Sequence, residues 1–264
     1  MDEEKWKREC TEVVNAMKAH VIPFVTPIAR ATETQPGDAP GTTTITGAAL
    51  LGTGNFVCHN GRVVVLTNEH VAVHARTERL MYKLHGSENY HLFRKDFLTI
   101  PYPTDAAISE VDQLVWSQQS REARAVPTAL VTDRHNPVDR ELLFVFGFSG
   151  ERSGFGFNTL VSFGTPYLTQ EPEPKPEIHS HHFALEYRPD HAIAVEPNAP
   201  GLPQPSGLSG SLVWDTKRVR CLLEGRKWSP ELARVTGLLR FWASSSAMVT
   251  ATKIEYVAQL MSVP

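Results

Sequence analysis

The chain has 264 residues, of which 41% are hydrophobic and 21% are charged, the balance of an ordinary folded protein with room for a large core. The formal net charge is −3 at pH 7, so charge does not indicate a nucleic-acid-binding protein or a basic membrane-binding surface. No apolar run approaches the roughly 18 residues of a membrane span, and the N-terminal residues lack the pattern of a signal peptide.

The cysteines and histidines bear on metal binding and cellular location. Cys10, Cys58 and Cys221 are odd in number, far apart and not arranged in CxxC pairs. That pattern favours reduced thiols in a cytoplasmic protein over a disulfide framework or a zinc site. Histidines at positions 179, 181, 182 and 191 lack a cysteine or carboxylate at a recognised ligand spacing, which favours a polar, partly exposed strand. The sequence therefore predicts neither a metal nor a cofactor.

The first predicted element is a helix over residues 3–20, in which apolar side chains recur at steps of three and four residues. These side chains are Trp6, Cys10, Val13, Val14, Met17 and Val21. Residues 31–44 are rich in threonine, proline and glycine, so we expect them to form a loop.

From there to about residue 245, short β-type runs alternate with turn residues. The runs cover residues 56–58, 62–66, 106–111, 142–148, 159–163, 183–187, 192–195, 211–214 and 235–242. Asn60-Gly61, between the first two runs, is a strong hairpin signal. Proline-rich segments at 166–176 and 197–205 are predicted loops, and an apolar face over residues 251–260 predicts a short closing helix. Together these elements indicate an antiparallel β-sandwich or barrel.

Three local patterns in the β-rich region carry residues suited to nucleophilic catalysis. GTGNF at residues 52–56 precedes a hairpin and then LTNEHV at 66–71, which contains His70. TDAAI at 104–108 contains Asp105, and SGLSGS at 206–211 contains Ser209. A serine hydroxyl is a weak nucleophile that needs a base beside it, and a histidine oriented by a carboxylate is suited to that role.

In order and spacing these patterns resemble the motifs of the trypsin-like (chymotrypsin-fold) serine proteases. The disulfide-free bacterial branch that includes the HtrA proteases is the most similar, and the resemblance covers about residues 45–245. It implies a catalytic triad with His70 as the base, Asp105 as the orienting acid and Ser209 as the nucleophile. It also implies an oxyanion hole made by the amides of Gly207 and Ser209.

The resemblance implies an all-β fold of two packed antiparallel six-stranded β-barrels with N- and C-terminal helices. Residues 1–44 would form the N-terminal helix and loop, and residues 45–125 the first barrel, which carries His70 and Asp105. Residues 126–250 would form the second barrel, with Ser209, the oxyanion hole and the S1 pocket, and residues 251–264 the C-terminal helix.

Other serines and another hydrolase class are less consistent with the sequence. Ser149 also lies in a G-x-S-G pattern, but it directly follows an apolar strand and precedes the expected position in the order of motifs. Ser206 and Ser211 lack the flanking glycines of Ser209. An α/β-hydrolase would place its histidine last and alternate strands with helices, neither of which occurs here.

Two residues depart from the secreted trypsins that are activated by cleavage. Leu208 stands before the nucleophile where those enzymes carry an aspartate that pairs with a new N-terminus, so that route of activation is excluded. Val71 follows the base where those enzymes have a disulfide cysteine. Both differences indicate the disulfide-free type.

The resemblance also implies which residues bind substrate. Pro203, six residues before Ser209, would form the floor of the S1 pocket, and the strand containing Leu239, Arg240, Phe241 and Trp242 would line it. An inward Arg240 would favour an acidic P1 residue, whereas a solvated Arg240 would leave the pocket apolar. We expect a preference for apolar or small P1 residues.

The implied activity is that of a serine endopeptidase that cuts peptide bonds through an acyl-enzyme. Its partners would be a protein or peptide substrate and, as a further candidate, a regulatory partner protein. The alternative is a catalytically silent protease-fold scaffold that binds a peptide or protein partner. A nucleic-acid-binding barrel is disfavoured by the acidic balance of charge.

Overall fold

The N-terminal helix forms as the spacing of its apolar residues predicts. The computed structural model describes residues 3–36, 43–118, 122–156, 159–192, 201–243 and 247–262, and helix α1 covers Glu3–Val21. Val13, Met17 and Val21 of this helix are at most 2% exposed. The apolar stripe is therefore packed against the body of the protein.

The first sheet contains the strands that precede residue 111. They are β1 (Val25–Pro36), β2 (Thr43–His59), β3 (Arg62–Thr67), β4 (Leu80–Lys83), β5 (Tyr90–Leu92), β6 (Leu98–Ile100) and β7 (Ala106–Glu110). Within the described residues they form one antiparallel sheet of seven strands, in the order β5-β4-β1-β2-β3-β7-β6. Helix α2 (Glu69–Ala72) follows β3, and α3 (Gln113–Gln118) follows β7.

The second sheet contains the later strands. They are β8 (Leu143–Gly156), β9 (Thr159–Thr169), β10 (His182–Glu186), β11 (Leu212–Asp215), β12 (Arg234–Ala243) and β13 (Met248–Lys253). The sheet is antiparallel, with six strands among the described residues in the order β10-β13-β12-β11-β8-β9. Helix α4 (Arg218–Leu223) follows β11, and α5 (Ile254–Val257) follows β13. Short 3₁₀ turns lie at Ile22–Phe24, Val73–Arg76, Thr128–Leu130, Pro189–His191, Pro230–Leu232 and Leu260–Ser262.

The predicted all-β architecture, with two antiparallel β-units and helices near both ends, is confirmed. The first unit has one strand more than the predicted six in the described residues, because β1, which lies before the predicted start of the barrel at residue 45, joins the sheet. The division of the chain into four segments stays a prediction. Among the described helices, none is long and apolar enough to cross a membrane.

Residues 31–44 are the clearest correction in the first sheet. The expected loop is wrong at residues 31–36 and 43–44, because β1 continues to Pro36 and β2 begins at Thr43. The two strands pair here through two register shifts, between Ala31 and Glu33 and between Glu33 and Thr34. The β-branched threonines at both ends of the stretch favour an extended backbone, and residues 37–42 lie outside the described residues.

Two predictions near the second sheet are also corrected. Pro166, expected in a loop, lies in β9 opposite Phe146, at an edge of the sheet where proline needs no partner for its missing N–H. The predicted closing helix over residues 251–260 is shorter, because β13 continues to Lys253 and α5 covers four residues. Of the predicted strand at 192–195, Ala192 is not in a strand, and residues 193–195 lie outside the described residues, as do 197–200.

The hairpin predicted at Asn60-Gly61 is confirmed. Asn60 and Gly61 have φ angles of 47° and 75°, in the left-handed region that a tight two-residue turn requires. His59 pairs with Arg62 across the turn, which sets the register of β2 against β3. Because β3 ends at Thr67, this hairpin fixes where His70 leaves the sheet.

The helix α1 packs on a core that both sheets share. Met17 is fully buried in a cluster that includes Leu66 of β3 and Trp214 of β11. Trp214 is itself fully buried and stacks on Phe24 at 6.0 Å between ring centroids, with the His20 ring edge-on at 5.9 Å. The helix therefore contributes to the stability of the region where the two sheets meet.

We predict that Met17→Ala lowers the free energy of unfolding by about 2–5 kcal/mol, because it removes buried apolar surface and leaves a cavity. Urea unfolding followed by tryptophan fluorescence measures the change. Glu12→Ala, an exposed substitution on the same helix, is the control and should leave the midpoint almost unchanged. Equal midpoints for the Met17→Ala protein and the unmodified protein would contradict the packing of α1 on the core.

Candidate active site

A cleft of about 470 Å³ brings together His70, Asp105 and Ser209, which are far apart in the sequence. His70 lies in α2 just after β3, Asp105 directly precedes β7, and Ser209 lies in the loop before β11. The cleft is lined by Glu69, His70, Tyr102, Asp105, Pro205, Ser206, Ser209, Leu239, Arg240 and Val249. Both sheets therefore contribute to its walls.

His70 and Asp105 are joined by two hydrogen bonds. The Nδ1 atom of His70 lies 2.8 Å from Oδ2 of Asp105, and the backbone N–H of His70 donates to Oδ1 at 3.1 Å. The side chain of Asp105 is 5% exposed, whereas that of His70 is 46% exposed. A buried carboxylate thus fixes one edge of an accessible imidazole, which leaves Nε2 directed away from the bond.

The backbone of Asp105 has a conformation that is unusual for a residue with a side chain. Its φ angle is 50°, in the left-handed region. The side-chain amide of buried Asn68 donates to the Asp105 carbonyl at 2.8 Å. Asn68 stands two residues before His70, so one segment holds both the main chain and the carboxylate of Asp105.

The loop that leads into Asp105 is also attached to the second sheet. The carbonyl of Pro103 accepts a hydrogen bond from Nε2 of His182 at 2.7 Å, and the carbonyl of Thr104 accepts one from the Thr252 hydroxyl at 2.9 Å. Burial lowers the pKa of His182, and the charge of Arg240 lowers it further, which keeps the ring neutral while it donates. Strands β10 and β13 thereby position a residue of the first sheet.

The ionisation of Asp105 reflects opposing effects. Burial by itself raises the pKa of the carboxyl, but hydrogen bonds from the His70 ring and backbone, with the charges of His70 and Arg240, outweigh it. The pKa of Asp105 therefore lies below its ordinary value of 3.8. The group is an anion at neutral pH.

The loop around Ser209 is held by strand β2 of the other sheet. The backbone N–H of Thr53 donates to the Ser209 carbonyl at 2.8 Å, and the Thr53 hydroxyl donates to the Gly207 carbonyl at 2.9 Å. The side-chain amide of Asn55 donates to the Gly210 carbonyl at 2.6 Å. The GTGN segment that the sequence motif singled out thus fixes the serine loop beside the histidine.

The hydroxyl of Ser209 does not contact the imidazole by a hydrogen bond in the described part of the structure. It donates instead to the carbonyl of Arg240 at 3.2 Å. Arg240 lies at a register shift in β12, between Leu239 and Phe241. Rotation of the Ser209 side chain about its single bond would be needed to direct the hydroxyl towards His70.

The amides of Gly207 and Ser209 have no acceptor among the described residues. Gly207 has a φ angle of 96°, and a Cβ atom there would lie 2.7 Å from the Phe148 carbonyl oxygen. The N–H of Gly150 donates to the Ser206 carbonyl at 2.9 Å. In a trans peptide the C=O and N–H groups point in opposite directions, so this bond turns the Gly207 N–H away from Gly150.

Leu208 occupies the position between these two amides. Its side chain is 1% exposed and packs in a cluster with Leu143 and Val213 of the second sheet. Apolar packing therefore holds the loop where the sequence lacks an aspartate.

Arg240 lines the cleft, so of the two sequence alternatives for its side chain the structure has the inward one. Its side chain is 16% exposed, and its Nε atom lies 3.4 Å from Oδ2 of Asp105. The guanidinium carbon lies 5.3 Å from the ring centroid of Tyr102. Arg240 is thus turned into the cleft on its Asp105 side and is not solvated, and its place in an S1 pocket stays a prediction.

The other predicted substrate-binding residues are only partly brought to the cleft. Leu239 lines it, but Pro203 is buried outside the lining, where its carbonyl accepts a hydrogen bond from Tyr187 at 2.6 Å. Phe241 and Trp242 lie in β12, and their side chains fall outside the described residues. The S1 pocket stays a prediction.

The histidine group adjoins the cleft. The rings of His179 and His182 each lie 5.9 Å from the ring of Tyr102, and His181 stacks on Tyr256 at 3.6 Å. Within the described ranges, no set of three His, Cys, Asp or Glu residues is arranged to hold a metal ion.

Sequence reasoning missed several residues that organise this site. Hydrogen bonds to main-chain carbonyls of the cleft loops come from Asn68, Thr53, Gly150 and His182, and those from Thr53 and His182 join the two halves of the fold. Asn68 and Thr53 lie within the quoted motifs, so their positions offered a signal. His182 offered none, because its partner Pro103 is 79 residues away.

Solved structures share this fold at low sequence identity. The HtrA-type protease AlgW, in a structure with a decapeptide, has a TM-score of 0.53 and 12% identity over 94% of this chain and 66% of its own. A serine endoprotease from Yersinia pestis has a TM-score of 0.51 and 12% identity over 94% of this chain and 65% of its own. This chain therefore spans about two thirds of the length of each. No family profile and no curated protein sequence matches the chain. The chain has the fold of the chymotrypsin-like serine proteases.

We predict that Asp105→Asn lowers the free energy of unfolding near neutral pH by roughly 1–3 kcal/mol, because His70 and Arg240 lose a buried anionic partner. The free energy of unfolding of Asp105→Asn should also depend less on pH in the acid range. Since the pKa of Asp105 is lower in the folded chain than its ordinary 3.8, the unfolded chain takes up this proton first. Stability of the unmodified protein therefore falls as pH decreases through that value towards the folded pKa.

Urea unfolding between about pH 7 and pH 3 measures this effect as the difference between the two proteins. Asp139→Asn, at an exposed carboxylate, is the control and should follow the unmodified protein. Parallel stability curves for the Asp105→Asn and unmodified proteins would contradict the pKa assigned to Asp105.

Proposed function

We propose that the protein is a serine endopeptidase that hydrolyses peptide bonds with Ser209 as nucleophile, His70 as base and Asp105 as orienting acid. The observation that supports this best is the 2.8 Å hydrogen bond between His70 and buried Asp105 in the cleft that also contains Ser209. Asp105 fixes the imidazole so that Nδ1 carries its proton and Nε2 is free to accept one. That tautomer is the one that general-base catalysis requires.

In the proposed reaction, His70 takes the proton of the Ser209 hydroxyl as the oxygen attacks the peptide carbonyl carbon. The resulting oxyanion would accept hydrogen bonds from the amides of Gly207 and Ser209, which have no acceptor in the described structure. His70 then gives its proton to the leaving amine as the carbon–nitrogen bond breaks. Water attacks the acyl-enzyme in a second cycle of the same steps, and no metal or cofactor is needed.

The first step requires a change in the orientation of Ser209. Its hydroxyl now donates to the Arg240 carbonyl at 3.2 Å. Catalytic hydrogen bonds are often long or misaligned before substrate binds, so a peptide that occupies the Arg240 carbonyl would release the hydroxyl. Binding of the peptide would then itself free the Ser209 hydroxyl to turn towards His70.

The alternative is a catalytically silent scaffold that binds a peptide or protein partner in the cleft. The contact of Arg240 with both Asp105 and Ser209 supports it, because that contact engages the acid and the nucleophile with one residue. The decapeptide in the AlgW structure supports peptide binding under either proposal. The proposed partner is thus a protein or peptide in both cases.

We predict that a fluorophosphonate probe labels the protein at one serine and that Ser209→Ala abolishes the labelling. Peptide hydrolysis should fall on the order of a million-fold in kcat, because the nucleophile of a triad is lost. Intact-mass spectrometry and peptide mapping identify the labelled residue. Ser206→Ala, at an exposed serine in the same loop, is the matched control and should keep the label.

Labelling that persists in Ser209→Ala would contradict the assignment of the nucleophile. A folded protein that neither reacts with the probe nor cuts a mixed peptide library would favour the silent scaffold.

A further inference from the structure

The side chain of Arg240 presents a cation to the cleft beside the nucleophile. Its Nε edge faces Asp105, at 3.4 Å from Oδ2. Within the described part of the chain its two terminal nitrogens have no hydrogen-bond acceptor, although Arg240 lines the cleft wall. A guanidinium has five N–H donors in a fixed fork, so most of its capacity for binding an anion is unused here.

The surroundings of Arg240 hold it in this position. The register shift in β12 leaves Arg240 without a paired residue in β13, which turns its side chain out of the regular alternation. The ring of Tyr102, 64% exposed, lies 5.3 Å from the guanidinium carbon, and buried Nε lies 3.4 Å from Oδ2 of Asp105 without a hydrogen bond to it. These two neighbours limit the positions of the fork before any ligand arrives, which reduces the entropy lost on binding.

The cleft wall has two chemically different parts. Leu239 and Val249 belong to an apolar cluster of the second sheet and form one part of the wall. Tyr102 and Arg240 form another part, next to the buried ring of His182. An apolar side chain suits the first part, whereas the second suits a planar anionic group.

We propose that the Arg240 guanidinium binds a carboxylate side chain of the peptide, so that the cleft selects substrates with Glu or Asp at one position near the scissile bond. This inference rests on the proposed function for its place in catalysis, but the binding step does not depend on turnover. The acidic residue would lie over Tyr102, on the His70 and Asp105 side of Ser209. An apolar P1 residue against Leu239 and Val249 is compatible with it.

Other charges in the cleft act on such a carboxylate. Asp105 is buried and its charge is compensated by two hydrogen bonds from His70. Glu69, partly exposed on the wall, repels a second carboxylate. The attraction must therefore come from direct, charge-assisted hydrogen bonds to the Arg240 fork, which are short-ranged and specific. Glu69→Gln should strengthen the preference.

The first test is cleavage of a fluorogenic peptide library in which every amino acid is placed in turn at each position on the acyl side. At one position Glu or Asp should exceed Gln or Asn by roughly 10- to 100-fold in kcat/KM, the effect of charge-assisted hydrogen bonds. In Arg240→Ala this kcat/KM ratio should fall to about one, and in Arg240→Lys it should fall only part of the way. Removing Arg240 also removes a charge beside Asp105, which changes the rate for every substrate. The ratio of kcat/KM for Glu and Gln peptides, taken within one variant, cancels that general change.

The control variant is Arg226→Ala, which removes an exposed arginine paired with Glu224 and lowers the net charge equally. It should keep the acidic preference. An unchanged Glu-to-Gln ratio in Arg240→Ala would overturn the proposal, as would the absence of any acidic preference in the unmodified protein.

The second test separates this inference from the proposed function. The Nε–H resonance of Arg240 is followed in Ser209→Ala while N-acetyl-glutamate amide or N-acetyl-glutamine amide is added. A saturable shift with the glutamate probe alone is expected, even if the protein cuts nothing. Cleavage without acidic preference and without this shift would overturn the inference and leave the endopeptidase proposal standing.

Discussion

A single buried anion, the carboxylate of Asp105, connects the parts of the candidate active site. It accepts two hydrogen bonds from His70 and lies beside the guanidinium of Arg240. Moving such a charge out of water is costly unless it is paired and hydrogen-bonded, so these contacts are conditions for its burial. The imidazole of His70 and the guanidinium of Arg240 are therefore oriented by the same carboxylate, because both contribute to compensating its charge.

Because the contacts to this anion come from both halves of the fold, the site depends on how the two sheets meet. His182 and Thr252 of the second sheet hold the loop before Asp105, and Thr53 and Asn55 of the first sheet hold the loop around Ser209. Each half of the fold thus donates hydrogen bonds to a cleft loop of the other half. The core around Trp214, on which α1 packs, contains residues of both sheets and so also joins them.

The sequence allowed prediction of the elements whose signals are local. The Asn60-Gly61 hairpin, the apolar stripe of α1 and the order of the three motifs each depend on neighbouring residues, and the structure confirms the hairpin and the helix. Contacts between distant segments could not be predicted. The strand pairing of residues 31–36 depends on β2, and the turn of Arg240 towards Asp105 depends on a register shift in β12. The catalytic roles of His70, Asp105 and Ser209 are part of the proposed function.

The central claim is that Ser209, His70 and the Gly207 and Ser209 amides act on one reacting group. The most direct measurement is a crystal structure of the protein after reaction with diisopropyl fluorophosphate. The account predicts phosphorus bonded to Oγ of Ser209, with a phosphoryl oxygen about 2.7–3.1 Å from both amide nitrogens. An unmodified Ser209, or a phosphoryl oxygen turned away from both amides, would contradict it.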